Sequence, residues 1–114
     1  MVRFQETLRR LAIIDEGLIG DAAALELRPA GALDAKTTAL LQVGALVAIG
    51  SPAVSLDWSV ARALAAGATK DQIADVLLAI APVTGLGRVA SAAPDVATAL
   101  GYDVAAALEE PNDH

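Results

Sequence analysis

The stretch from Asp34 to Gly50 constrains this chain more than any other, because Gln42 is the only strongly polar side chain between Ala39 and Ile49. A helix that is apolar on nearly every side has to be central to a bundle or shared with a second subunit. Asp34 stands where a carboxylate accepts from the free amides of a first helical turn, and Gly50 where a C-terminal cap uses left-handed backbone. Gly44 and Ala48, one turn apart, allow a close helix crossing.

The rest of the composition agrees with a helical core. Hydrophobic residues make up 55% of the 114 residues but aromatic residues only 3%, so the apolar content is mostly Ala, Leu, Val and Ile. Ala and Leu favour helices, whereas a sheet would draw on more β-branched and aromatic side chains, and the expectation is a single all-α domain. That much apolar surface exceeds what one small subunit can hide, which points to a homo-oligomer. The longest apolar runs, residues 43–49 and 76–83, fall short of the roughly 20 residues that span a bilayer. At the start of the chain Phe4, Leu8 and Leu11 form a helical stripe and Glu6 and Arg10 an i,i+4 pair, unlike the basic-then-apolar order of a signal peptide. A cytoplasmic protein with no membrane partner is expected.

A net charge of -6 works against a nucleic-acid partner, which would repel it through the phosphate backbone. With no cysteine the chain has no disulfide, no thiolate metal site and no thiol nucleophile, and its only histidine is the last residue, His114, read as a solvated tail. No metal or cofactor is expected.

Periodicity and capping residues divide the chain further. A first helix is expected over residues 3–14, a break over 15–20, and a short second helix capped by Asp21 and ending at Leu27, before Pro29 forces an extended connection. The apolar helix behind Asp34 follows. Ser51 and Pro52 then supply an N-cap and a first-position proline for a helix carrying Val54, Ser55, Trp58, Ser59, Arg62 and Ala65, which Gly67 ends. Thr69 and Gln72 have the spacing of a capping box, and the helix they open should kink or restart at Pro82. Residues 83–92 and 94–100 read as one interrupted helix or two short ones. Asp103 caps a final turn to Leu108, and residues 109–114 form a mobile acidic tail.

Within this frame, "LDAKT" at residues 33–37, "DWSVARALAAGAT" at 57–69 and "KDQIADVLLA" at 70–79 resemble the carboxymuconolactone decarboxylase family, which includes the alkylhydroperoxidase D proteins. The resemblance covers residues 33–87, about half the chain. It implies a compact all-α subunit of the alkylhydroperoxidase D-like type that assembles as a trimer or hexamer, with N-terminal helices in residues 1–32 and a family core over 33–101. The family's redox branch carries a CxxC pair at the start of the central helix, a His four residues after the second Cys, and a Glu on the preceding helix. Counted back from "VARALAAGA", the His position falls on Ser59 and the two Cys positions on Ser55 and Pro52. Counted forward from "LDAKT", the first Cys falls on Ser51 and the Glu on Ala39. The two registers differ by one residue, so the turn over residues 50–53 is read as one residue longer here. In both registers the dithiol, the His and the Glu are absent, and a thiol peroxidase cycle, in which one thiolate attacks and another resolves, has no residue to run on. The decarboxylase branch resembles the redox branch in keeping the His, where this chain has Ser59.

Several residues remain candidates, each with a plainer reading. Ser55, Ser59 and Arg62 at i, i+4 and i+7 share a helix face, where two hydroxyls and a guanidinium suit a carboxylate ligand; the alternative is small packing residues and a solvated Arg. Trp58 borders this face as a ligand contact or as a buried structural residue. Asp57 is the one candidate base on the helix, or an exposed helical acid, and Ser59 is the other catalytic candidate. Arg88 reads as a second anion anchor or as a surface or interface charge. Gln42 has to find a partner, either a structural hydrogen bond or a ligand. Two functions compete. One is a cofactor-free, non-redox lyase or isomerase acting on a small organic acid or lactone. The other is a catalytically silent oligomeric module that binds a hydrophobic small molecule or a protein partner.

Overall fold

In a computed structural model of the chain, which describes residues 2–17 and 31–109, the described residues are helical and contain no strand. The helices are α1 (Arg3–Ala12), α2 (Ala35–Ile49), α3 (Ala53–Ala65), α4 (Lys70–Thr84), α5 (Leu86–Ala99) and α6 (Val104–Glu109). α2 and α5 each pack against both α3 and α4, so the four form a square bundle in which α2 faces α5 along one diagonal and α3 faces α4 along the other. α6 adds to the bundle through α5.

The core is built mainly from aliphatic side chains: Val43 and Val47 of α2, Leu56 and Val60 of α3, Ile73 of α4 and Val96 of α5 are buried. α2 meets both halves of the sequence expectation. Ala39, Val43, Gly44 and Val47 face the core, yet Leu41 and Ile49 on its other side are 57% and 73% exposed. Gly44 sets the approach of α2 to α4, because a Cβ there would stand 3.2 Å from Val76 Cγ1 and 3.4 Å from Ile80 Cγ2.

The helix boundaries follow the capping chemistry. The Thr37 amide donates to Asp34 Oδ1 at 2.7 Å, and Gly50 closes α2 with φ 73°. Thr69 and Gln72 form the reciprocal capping box, each amide donating to the other's side chain at 3.0 Å. The Ala106 amide donates to Asp103 Oδ1 at 3.0 Å ahead of α6.

Other expectations are corrected. α1 ends at Ala12 rather than residue 14, since Ile14 takes φ 55°. Glu6 pairs with Arg9 at 2.8 Å rather than with Arg10, which reaches forward to Asp15 at 2.9 Å. Pro52 itself is the N-cap of α3, one residue later than the Ser51 cap expected. Neither Pro82 nor Pro94 interrupts its helix, and the break falls at Gly85, φ 94°. Both prolines are exposed, so solvent can take up the carbonyls left without an amide donor. Glu109 closes α6 instead of opening a tail. The expected helix from Asp21 to Leu27 and the remainder of the tail lie outside the described residues.

α1 is set apart. None of its residues is buried and it makes no close approach to another of the described helices, while the molecule extends 63 × 27 × 22 Å.

Candidate functional site

Where α2 ends and α3 and α5 begin, the chain brings polar side chains from three elements to one small cavity. Gly50 turns the chain out of α2, Ser51 precedes the Pro52 cap of α3, and Gly85 sets the start of α5 so that Arg88 falls in its first turn. The cavity, about 130 Å³, is lined by Val47, Gly50, Ser51, Arg88, Ser91, Ala92 and Asp95. Arg88, Ser91 and Asp95 sit at i, i+3 and i+7, so one face of α5 supplies a cation, a hydroxyl and a carboxylate. Ser51 supplies a second hydroxyl from the α2–α3 turn. The Arg88 guanidinium lies over the bare Cα of Gly50, in the space a side chain would take. Among the described residues neither Arg88 nor Asp95 is held in an ion pair, and α3 has no side-chain cap on its first-turn amides. The arrangement can bind an anion at the Arg88 end and accept or donate a proton at Asp95.

The candidates on α3 are distributed differently. Ser59, only 2% exposed, is packed into the core. Ser55 is half-buried, and Asp57 is exposed. Trp58 is 44% exposed, and the Arg62 guanidinium carbon stacks over its ring at 4.6 Å, so the indole is a surface residue covered by a cation rather than a buried one. Gln42 is half-buried and its side chain makes no hydrogen bond among the described residues. Of the site candidates offered from sequence, Arg88 is the one brought into the polar cavity, where Ser51, expected only as a cap, joins it. Its partners Ser91 and Asp95 went unnoticed: the spacing of Ser91 from Arg88 was readable, whereas Asp95 lay beyond the break expected before Pro94.

A second cavity is apolar. Between α2 and α4 a groove of about 420 Å³ runs past Leu40, Leu41, Gly44, Ala48, Val76 and Ile80, with no charged residue in its lining. Among the described residues no group of His, Cys, Asp and Glu could hold a metal ion, and no helix is long and apolar enough to cross a membrane.

Electrostatics away from the cavity are those of caps and surface pairs. Hydrogen bonding by Thr37, through its side chain and its amide, holds the Asp34 carboxyl below the usual range. The hydrogen bond from Arg9 does the same for Glu6.

The fold and the cavity define a class, a small all-α domain with a polar pocket where α2 ends and α3 and α5 begin, and with no thiol to make that pocket redox-active. The sequence profile of the carboxymuconolactone decarboxylase family matches residues 17–99, and the chain belongs to that family. No curated protein and no solved structure matches the chain.

Proposed function

We propose that this protein is a cofactor-free, non-redox enzyme of lyase or isomerase type that acts on a small organic acid or lactone, working in the cytoplasm as a homo-oligomer, a trimer or hexamer. The observation that carries the reading is the Arg88 cavity. Its guanidinium is accessible and, among the described residues, outside any ion pair, with Ser51 and Ser91 beside it and Asp95 two turns along the same helix. Arg88 anchors the substrate carboxylate. The two hydroxyls orient it, and Asp95 moves the proton that isomerisation or decarboxylation requires. The volume equals about four water molecules of liquid, so it takes the acid end of a ligand rather than a large cofactor.

The test is calorimetric binding of a panel of small mono- and dicarboxylates, followed by turnover assays on those that bind. Arg88→Ala is expected to weaken binding at least tenfold, about 1.4 kcal/mol. Asp95→Asn is expected to leave binding intact and slow turnover about 10²-fold or more. Unchanged binding by Arg88→Ala would sink the reading.

The second reading, a catalytically silent module, is supported by the α2–α4 groove, which offers an apolar seat with no reacting group in it. Saturable binding of an apolar ligand, with no turnover on any carboxylate that binds, would favour it.

A further inference from the structure

The chain leaves two apolar surfaces open at once, one on α1 and one between α2 and α4. On α1, Phe4, Leu8 and Leu11 recur at helical spacing and are 65%, 59% and 52% exposed. The groove presents Leu40, Leu41, Val76, Ile80 and Val83 and no charge. The groove is long enough for the stripe: Phe4 to Leu11 rises about 10 Å along α1, and the α2 wall from Thr37 to Ala48 about 16 Å.

Charge indicates what α1 is drawn to. α1 holds Arg3, Arg9 and Arg10, but Arg9 is paired with Glu6 and Arg10 with Asp15, so Arg3 is the cation α1 has to offer, on a chain of net charge -6. Arg3 borders the apolar stripe. On α4, Asp75 and Asp71 stand one and two turns before Ala79, which lines the groove, and both are exposed and outside any ion pair among the described residues. An amphipathic arm with Arg3 beside its apolar stripe is complementary to an acid-bordered groove on a second copy of this acidic chain. An anionic lipid surface would attract the arm but repel the body that carries it.

We infer that α1 is an exchange arm. Its Phe4, Leu8 and Leu11 stripe seats in the α2–α4 groove of a second copy, with Arg3 beside that copy's Asp75. The exchange is reciprocal in a dimer or runs head to tail around a closed ring. This rests on the homo-oligomer reading above and names the surface that makes the oligomer.

The absence of native cysteine makes disulfide trapping clean. Leu8→Cys and Ala45→Cys, both at exposed positions, are made in separate chains, one carrying a mass tag, then mixed and oxidised; sedimentation of the wild type reports the assembly. The expected result is a sedimenting oligomer and a covalent species containing one chain of each kind, absent when Leu8→Cys is mixed with Ala61→Cys on α3. Leu8→Asp is expected to lose the oligomer while keeping its helical circular dichroism. An oligomer without the mixed cross-link overturns the arm and leaves the homo-oligomer reading standing. A wild-type monomer overturns both. A doubly substituted chain that closes its disulfide within itself, as a monomer, shows the arm folding onto its own groove and overturns the exchange.

Discussion

The Arg88 guanidinium occupies the space that a side chain on Gly50 would fill, so the turn that ends α2 and the cation that opens α5 are fitted to each other. Gly50 serves two ends there. Its φ of 73° closes the helix, and its missing Cβ admits the charge to the cavity. Gly50→Ala is therefore expected to cost about 1–2 kcal/mol from the left-handed backbone alone and, in addition, to displace Arg88. Denaturant titration and carboxylate calorimetry on the same variant separate the two effects. Stability loss with unchanged binding would show that Arg88 keeps its position without the glycine.

Thr69 and Gln72 satisfy each other's amides at the start of α4. Thr69→Ala removes half of that box and is expected to lower stability by about 1 kcal/mol, read as a lower urea midpoint at unchanged slope. Thr69→Ser, which keeps the hydroxyl, should recover most of it.

Asp34 gives the pH dependence. Its folded-state carboxyl titrates below the ordinary range because of Thr37, so its contribution is present above the unfolded pKa and disappears as pH falls through the folded one. Asp34→Asn is expected to melt lower than the wild type at neutral pH, with the gap closing as the solution is made more acidic than the usual carboxylate range. A gap that stays constant across that titration would mean that the ionised form of the cap contributes nothing.

Ile73 is fully buried between α4 and its neighbours in a core with no large aromatic side chain to slide into the gap. Ile73→Ala is expected to cost about 2–5 kcal/mol, a large share of the roughly 5–15 kcal/mol that holds a domain of this size together. A loss below 1 kcal/mol in chemical denaturation would show the site collapsing around the smaller residue.

The helix starts were legible where a side chain writes them: Asp34, Thr69 and Asp103 all cap as their positions indicate. Proline was the misleading signal. Pro82 and Pro94 marked places where a helix could restart, and neither does, because one lost amide donor leaves the rest of the ladder intact when the freed carbonyl can reach solvent, and that exposure is a tertiary fact. Gly85, whose positive φ makes the break, carries no mark in the sequence that distinguishes it from Gly87 two residues on. The cavity was half legible. Arg88 was visible as a charge in an apolar run, but Asp95 acquires significance only once α5 is one continuous helix across Pro94, which places residues seven apart on the same face. The two-hydroxyl face of α3 looked like a site from spacing alone, and packing turned Ser59 inward.

Trp58, the sole indole of the chain, sits under Arg62 on the outside of α3. Intrinsic fluorescence is consequently a poor witness to the melting of this aliphatic interior, since the chromophore begins already half in water. It is a sensitive one for anything that settles on that outer face, because displacing a stacked cation alters the quenching of the ring without any helix having to unwind.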